Sequence, residues 1–401
     1  MANAMSRRNF VKLSGIAAAG LGGASILTAC GGGSSSSDDS SIKVGLMGPY
    51  SGDVAQYGLA VRNGAQLYVK QLNDKGGINN KKIDLDTQDE KGDATEAKNV
   101  YDKMVEDGVV AIIGDVTSTP SIAVAQASVN DNMPLVSASA TAADFIKYGK
   151  NAFRACITDP YQGKLMADFA AKQGYKTYGA IFNSGGDYEV GVKDAFVKEA
   201  KSKGLSSVAD PQGYSAGDTD FKAQLTTIIS GNPDCIFCPN YYQDDGKIVT
   251  QARQLGYKGV FLGADGWSNI VGGDQDYASA ADLEGCYYDC SFTVNNDDEK
   301  VQQFIKDYKA EYNADPSNFC ALGYDAAMVV MTAIEQVEKD GKYKPSDDDY
   351  KQAIIDAISS GSVDGVTGTI KYDGTGDPVK PTLVITFKDG KESVFDTIEA
   401  S

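Results

Sequence analysis

The stretch AIIGDVTSTPSIAVAQASVNDNMPLVSASAT, residues 111–141, decides the fold. Two short apolar runs, at 109–114 and 134–137, each lead into a small loop rich in hydroxyl side chains, and a helical segment separates them. Apolar runs that alternate with helices are typical of parallel strands in an α/β sheet. Loops that follow neighbouring parallel strands lie side by side at the edge where such folds bind ligands, so we expect a small-molecule site here.

The same alternation extends along the rest of the chain. Before the central stretch, we predict strands at 42–47 and 82–87 and helices at 59–73 and 94–106. After it, the sequence predicts a second series, with helices at 161–174, 190–204, 221–230 and 246–255 and strands at 177–182, 234–238 and 259–263. The pattern predicts an α/β protein with two doubly wound parallel sheets.

The final third of the chain changes character. An extended run at 285–292 leads to long helices at 300–312 and 321–339. Strands then follow at 368–372, 382–388 and 392–395, separated by Gly and Pro turns. Acidic runs at 295–299 and 347–349 are interpreted as the solvated starts of helices, because they lack the ligand spacing of a calcium loop.

Composition limits the classes of function. The 401 residues are 42% hydrophobic, which is enough to build two domains. The net charge of −18 argues against a nucleic-acid partner. The chain has no histidine, which excludes Ser-His-Asp and Cys-His nucleophile systems and weighs against a zinc enzyme. We expect no metal and no cofactor, and the commonest tools of catalysis are missing, although composition alone does not exclude an enzyme.

The amino terminus predicts export and lipidation. SRRNFVK at 6–12 resembles the twin-arginine export pattern, and LTAC at 27–30 resembles a bacterial lipobox in which Cys30 becomes the lipidated first residue. We predict a signal peptide at 1–29 and a Gly/Ser-rich tether at 30–41, which would hold an extracytoplasmic protein to the membrane by lipid alone. A transmembrane helix is the weaker interpretation, because the apolar run is short and broken by glycines.

Six further cysteines follow Cys30. Cys235 and Cys238 have CxxC spacing, but on a strand that separation places them on opposite faces, roughly 10 Å apart. Cys286 and Cys290 would share a face about 13 Å apart. We therefore expect buried thiols rather than a redox or metal site, while a bridge between distant cysteines stays open.

Several motifs together resemble a known family. They are SGDVAQYG at 51–58, NDKGGI at 73–78, GDTDF at 217–221, QAR at 251–253 and GYDA at 323–326. From residue 42 onward the chain resembles the type I periplasmic substrate-binding proteins of ABC importers, in the branch that binds branched-chain amino acids. The resemblance implies two lobes joined by three crossovers, which close on a ligand like a clamshell. By position, lobe one is 42–158 with 291–366, and lobe two is 159–290 with 367–401.

The resemblance also implies a ligand site. Ser118 falls where the family binds the ligand carboxylate, and Ser139, Ala140 and Thr141 fall where backbone and hydroxyl groups hold the carboxylate and the ammonium. Asp265 falls where the family places an acid for the ammonium, often a Glu. The positions that match aromatic walls, or stand beside them, are Tyr57, Tyr188, Tyr241, Phe319 and Trp267.

Each of these residues also has a structural interpretation. Ser118 could cap a helix, Asp265 could be a turn residue, and the aromatic side chains could belong to the core. The resemblance favours a monomeric protein that binds an α-amino acid and delivers it to a permease with ATPase subunits. The family usually binds aliphatic amino acids. Alternatives are the same fold binding an amide, a urea or an aromatic acid, and a sensory module. An exported enzyme is a further alternative, although the acids Asp218 and Asp220 lie near no recognisable nucleophile.

Overall fold

The computed structural model describes residues 41–398, apart from Asp274 and Asp373. The predicted signal peptide and the predicted lipidation site at Cys30 lie outside the described residues. No helix within the described residues is both long enough and apolar enough to cross a membrane.

A five-stranded parallel sheet forms the first lobe. Its strands are β1 (Ser41–Gly48), β2 (Lys82–Asp89), β3 (Ile112–Ile113), β4 (Leu135–Ser137) and β5 (Ala152–Arg154). The spatial order is β2-β1-β3-β4-β5, and every pair is parallel. The two central runs of the sequence therefore form adjacent strands, as predicted, so the loops that follow them share one edge of the sheet.

Three helices connect these strands, namely α1 (Ala55–Asp74), α2 (Ala94–Glu106) and α3 (Ser118–Ser128). Helix α2 has the predicted bounds, because the Asp93 side chain accepts hydrogen bonds from the N–H groups of Thr95 and Glu96 at 2.8 and 2.9 Å. Apolar side chains from both faces of the sheet are buried against the helices, as a parallel sheet requires.

A second, mixed sheet forms the second lobe. The remaining strands of the described residues are β6 (Thr177–Asn183), β7 (Ser206–Ser207), β8 (Gln212–Tyr214), β9 (Cys235–Phe237), β10 (Val260–Leu262), β11 (Tyr287–Cys290), β12 (Ser362–Gly365), β13 (Gly368–Lys371), β14 (Thr382–Lys388) and β15 (Lys391–Ile398). The order is β15-β14-β11-β10-β9-β6-β7, with β8 beside β6, while β12 and β13 pair with each other. Strands β14 and β15 add antiparallel to β11, and the other pairs of the sheet are parallel.

The chain passes between the lobes three times. The helices that follow β5 are α4 (Asp159–Lys172), α5 (Asp187–Ser202), α6 (Lys222–Ser230), α7 (Tyr242–Gln254), α8 (Ala280–Leu283), α9 (Glu299–Tyr312), α10 (Asn318–Asp340) and α11 (Asp348–Ser360). Helices α4 and α5 pack on each other beside the second sheet, whereas α10 packs along α1 of the first lobe and α11 packs on α10. The chain therefore crosses after β5, after β11 and again before β14, which confirms the predicted doubly wound two-lobed fold.

The sequence prediction missed several short elements. Strand β5 contains three residues, and β7 and β8 are short strands between the predicted helices at 190–204 and 221–230. Strand β12 and helix α11 were also not given bounds. The acidic runs do mark helix starts, since α9 begins at Glu299 and α11 begins at Asp348. The six cysteines of the described residues are free and buried, as expected.

Candidate ligand-binding site

The loops after β3 and β4 lie side by side and are joined by side-chain hydrogen bonds. The joining contacts are Ser137 Oγ to the Asp115 carbonyl at 2.5 Å, Ser139 Oγ to the Val116 carbonyl at 2.8 Å, and the Ala142 N–H to Ser118 Oγ at 3.2 Å. These bonds use hydroxyl groups to hold the two loops in a fixed arrangement. The hydroxyl-rich composition that marked the loops in the sequence therefore serves partly to position their backbone.

Backbone donors are concentrated at this edge. Helix α3 begins at Ser118, its N-cap residue is Thr117, and no side chain caps it. The interpretation of Ser118 as the helix cap is therefore wrong. The Thr141 N–H donates to no acceptor among the described residues, although Thr141 is only 2% exposed. A helix amino terminus and a buried, unpaired N–H group are both suited to bind a carboxylate.

Asp265 supplies a buried carboxylate from the second lobe. It opens a short 3₁₀ turn directly after β10, and its N–H donates to Gln162 Oε1 at 3.0 Å. The adjacent Gly266 N–H donates to the Tyr188 hydroxyl at 3.0 Å. Burial raises the pKa of Asp265 to about 6, against the lowering effect of hydrogen bonds from Tyr188 and Gln162. Asp265 is thus a turn residue whose carboxyl group is nevertheless enclosed within the protein.

Two more buried acids lie near Asp265 and were not identified from the sequence. Asp159 is the first residue of α4, and Asp289 lies near the end of β11, the strand next to β10. Burial raises the pKa of both carboxyl groups well above the ordinary value, and the charge of Asp265 raises them further. A hydrogen bond from the Thr141 hydroxyl lowers the pKa of Asp159 and so opposes the effect of burial. A loop of the first lobe therefore lies next to these acids.

The sequence contained a weak signal for Asp159. It lies three residues before Gln162, the side chain that accepts a hydrogen bond from the Asp265 N–H. Both residues stand at the start of a helix, where an acid ordinarily has only a capping or dipole role. Asp289 is an acid within a strand that is otherwise apolar. This pattern indicates a buried carboxylate only when the strand is known to lie inside the sheet.

Aromatic side chains span the space between the lobes. The rings of Tyr188 and Tyr241 stack with centroids 5.2 Å apart, and the ring of Tyr57 lies edge-on at 5.5 Å from Tyr241. Phe319 stacks on the far side of Tyr57 at 4.2 Å. The Tyr57 hydroxyl donates to the Gly266 carbonyl and accepts from the Tyr242 N–H at 3.1 Å. Tyr57 therefore connects α1 of the first lobe to two segments of the second.

Trp267 lies in the core of the second lobe. Its side chain is fully buried, and its indole N–H donates to the Cys238 carbonyl at 2.7 Å. The ring faces Phe387 of β14, with centroids 6.3 Å apart. A Cβ atom at Gly263 would come within 2.2 Å of the indole nitrogen, so glycine is required there for the ring to fit.

The polar groups of both lobes converge at Tyr241. Burial raises the pKa of its hydroxyl, and Glu189, Asp159 and Asp265 raise it further, whereas the Ser118 N–H opposes the shift. One hydroxyl therefore lies beside a first-lobe N–H and is affected by the charges of second-lobe carboxylates. Ala140 differs from Thr141, because the N–H groups of Ala140 and Ser139 are paired with Ser137 Oγ at 2.8 and 3.3 Å.

A cleft of about 320 Å³ opens beside this cluster. Its lining comes from both lobes and includes Thr117 and Pro120 on one side and Glu189 and Tyr241 on the other. At its rim the Thr119 hydroxyl donates to the Asp187 carboxylate at 2.8 Å. The lobes are thus in direct contact around a polar interior, an arrangement that can enclose a small zwitterion.

Comparison with known proteins finds relatives that match most of the chain. The chain is 30% identical over 342 residues to the Leu/Ile/Val-binding protein BraC3 of Rhizobium johnstonii, an alignment that covers 84% of this chain and 89% of that protein. The branched-chain amino acid transporter substrate-binding protein LivJ from Streptococcus pneumoniae, solved in complex with isoleucine, superposes with a TM-score of 0.81 at 30% identity. That match covers 90% of this chain and 99% of LivJ.

A more distant solved structure shares the fold. The solute-binding protein from R. palustris in complex with benzoate has a TM-score of 0.79 at 20% identity, covering 90% of this chain and 97% of that chain. The family model for periplasmic binding proteins matches residues 41–391 of this chain. The resemblance drawn from the motifs is confirmed, and the chain belongs to the periplasmic binding protein family.

Proposed function

We propose that this chain captures an α-amino acid between its two lobes and delivers it to the permease and ATPase subunits of an ABC importer. The observation that carries the proposal is the meeting of two opposite sets of groups. The Ser118 N–H lies close to the Tyr241 hydroxyl and the Thr141 hydroxyl lies close to Asp159, while the charge of the buried Asp265 acts on both Tyr241 and Asp159. A zwitterion needs both sets, because removing water from either of its charges is costly unless a complementary group replaces it.

The contacts divide between the lobes. The N–H and hydroxyl groups of Ser118 and Thr141 would hold the carboxylate, and Ser139 would position their loops through its bond to the Val116 carbonyl. Asp265, with Asp159 beside it, would pair with the ammonium. Neither set requires a metal or a cofactor. The stacked rings of Tyr188 and Tyr241 would then exclude water from the ion pairs, which strengthens them.

The proposed ligand side chain is aliphatic. BraC3 is named as a binder of leucine, isoleucine and valine, and LivJ was solved with isoleucine. Tyr57, with Phe319 stacked behind it, offers an apolar surface to such a side chain. Aliphatic groups gain about 25 cal/mol for each Å² removed from water, so this wall would favour larger side chains over glycine or alanine.

The mature protein would be a monomer tethered outside the cytoplasmic membrane. Lipidation at Cys30 and the tether at 30–41 would confine it near the permease without placing a helix in the bilayer. Lobe one would comprise 42–158 with 291–366, and lobe two 159–290 with 367–401. These bounds are supported by the two sheets, which lie at 41–154 and at 177–290 with 382–398.

A thermal-shift screen of the standard amino acids, followed by calorimetry, tests the proposal. A ligand present at about 100 times its dissociation constant stabilises the protein by about 2.7 kcal/mol, which gives a clear shift. The variants Asp265→Ala and Thr141→Ala should lose binding, while exposed Asp220→Ala serves as the control. If both site variants bind as the wild type does, the assigned site is wrong.

The same experiment separates the alternatives. A ligand without an ammonium group, such as benzoate or a short amide, should bind without any requirement for Asp265. A response to such compounds that persists in Asp265→Ala, with no response to amino acids, would assign the chain to a different ligand class. Reconstitution with the permease and ATPase subunits then distinguishes import from a sensory role.

A further inference from the structure

Arg154 is a buried cation placed behind the loop that follows β4. Its side chain is fully buried, and its two terminal nitrogens donate to the carbonyls of Ala140 and Ala142 at 2.6 and 3.0 Å. These carbonyls lie on either side of Thr141. One guanidinium group therefore holds both ends of the segment whose central residue is proposed to bind the ligand.

We infer that Arg154 is a positioning residue that aims the Thr141 N–H at the ligand carboxylate, an inference that rests on the proposed function. The peptide between Ala140 and Thr141 is trans, so its C=O and N–H bonds point in opposite directions. Because the Ala140 carbonyl points at Arg154, the Thr141 N–H points away from it. That N–H is buried and has no acceptor among the residues described, which leaves it available to a ligand.

The guanidinium is itself fixed by the chain segment that precedes β14. Its Nε atom forms an ion pair with the Asp377 carboxylate at 2.7 Å. The main-chain N–H of Arg154 donates to the Gly376 carbonyl at 3.0 Å, and the Tyr372 hydroxyl donates to the main-chain carbonyl of Arg154 at 3.0 Å. Asp377 thus fixes the guanidinium, and the main-chain contacts with Gly376 and Tyr372 fix the backbone that carries it. Together they keep the fork in one orientation, which preorganises the loop before any ligand arrives.

The chain provides a matched comparison in Arg253. It also uses its guanidinium to hold backbone carbonyls, those of Tyr257 and Gly259 at 3.0 and 2.8 Å, but it lies in the second lobe away from Thr141. Substituting either arginine removes hydrogen bonds to carbonyls and should lower stability. Only the substitution of Arg154 should alter how the protein recognises a carboxylate.

The test compares L-leucine with L-leucinamide, which keeps the ammonium and the side chain but has a neutral amide in place of the carboxylate. Calorimetry is run on wild type, Arg154→Gln, Arg154→Lys and Arg253→Gln. We expect Arg154→Gln to weaken L-leucine binding at least about tenfold while changing L-leucinamide binding little, with Arg154→Lys intermediate. Arg253→Gln should keep the wild-type ratio of the two affinities.

Two outcomes overturn the inference and leave the proposed function intact. In the first, both Arg154 variants keep the wild-type ratio of L-leucine to L-leucinamide affinity. In the second, Arg253→Gln lowers that ratio as much as Arg154→Gln does. If Arg154→Gln does not fold, Arg154→Lys and amide NMR of the wild type decide, because the Thr141 amide proton should shift with L-leucine and not with L-leucinamide. A wild type that binds no amino acid overturns the proposed function together with this inference.

Discussion

Replacing Asp265 with asparagine should abolish amino-acid binding and at the same time stabilise the empty protein. Asparagine has nearly the same shape as aspartate, so the 3₁₀ turn after β10 should be retained. The change removes a carboxylate whose pKa burial raises to about 6. At pH 7.5 the empty protein holds this group ionised in a site that favours its neutral form, and the amide has no such cost.

The two effects have separate magnitudes. A pKa raised from 3.8 to about 6 corresponds to a penalty on the order of 3 kcal/mol at neutral pH. The amide accepts weaker hydrogen bonds from Tyr188 and Gly266, so we expect a net gain of about 1 kcal/mol in the free energy of unfolding. Leaving a buried ammonium without its partner costs about 3–5 kcal/mol, which is at least about a hundredfold increase in the dissociation constant.

The pH dependence of the wild type has opposite signs for stability and for binding. The pKa of Asp265 is higher in the folded than in the unfolded chain, so its contribution to stability is present at low pH and is lost as the pH rises from about 4 to 6. Binding needs the ionised form, so affinity should fall as the pH is lowered through about 6. Asp265→Asn should reduce both dependences, while the buried acids Asp159 and Asp289 retain part of the pH dependence of stability.

Calorimetric unfolding between pH 4 and 8 measures the first effect, and titration with the amino acid found in the screen measures the second. The exposed acid Asp220, changed to asparagine, controls for the loss of one negative charge from the second lobe. The reasoning is refuted if Asp265→Asn is less stable than wild type at pH 7.5 and keeps the wild-type pH dependence. An affinity within about threefold of wild type would remove Asp265 from the site.

Three further experiments test other parts of the structure. Tyr57→Phe removes the hydroxyl that bridges the lobes and should weaken amino-acid binding by about 1–2 kcal/mol in calorimetry, with a larger radius of gyration for the empty protein in solution scattering. Burial and the neighbouring charge of Asp115 raise the pKa of Glu90 to about 9, so the stability of the wild type should fall as the pH rises from 6 to 9. Urea unfolding should show a smaller fall in stability for Glu90→Gln. The six buried cysteines should resist a thiol reagent in the native protein and react once it is unfolded in urea.

The parts of the fold that the sequence predicted well are those fixed by local chemistry. Helix α2 has its predicted bounds because Asp93 caps it within the same segment. Strand β14 also has its predicted bounds, since alternating apolar residues lie between clear turns. Strand β5 was missed because its three residues are held by pairing with β4 and by contacts from Gly376, more than 200 positions away.

The site was predicted only as far as motif matching allowed. Asp159 was overlooked because an acid at a helix start is ordinarily a cap, and its proximity to Asp265 depends on how α4 packs beside β11. Arg154 was overlooked for a similar reason, since its partners at Ala140 and Asp377 lie in different parts of the chain. Trp267 is close to Asp265 in sequence, but the turn directs its ring into the core.

The division of polar groups between the lobes determines how a ligand would drive closure. The first lobe pairs its hydroxyls internally and leaves backbone donors in fixed positions, so it can hold a carboxylate whether the lobes are open or closed. In the proposed site, Asp265 would reach the ammonium of that same ligand only when the lobes meet. Because a ligand shifts an equilibrium only by its differential contacts with the two states, the ammonium and not the carboxylate would supply the energy of closure. A carboxylic acid that lacks the amine would therefore bind to the first lobe without favouring the closed form.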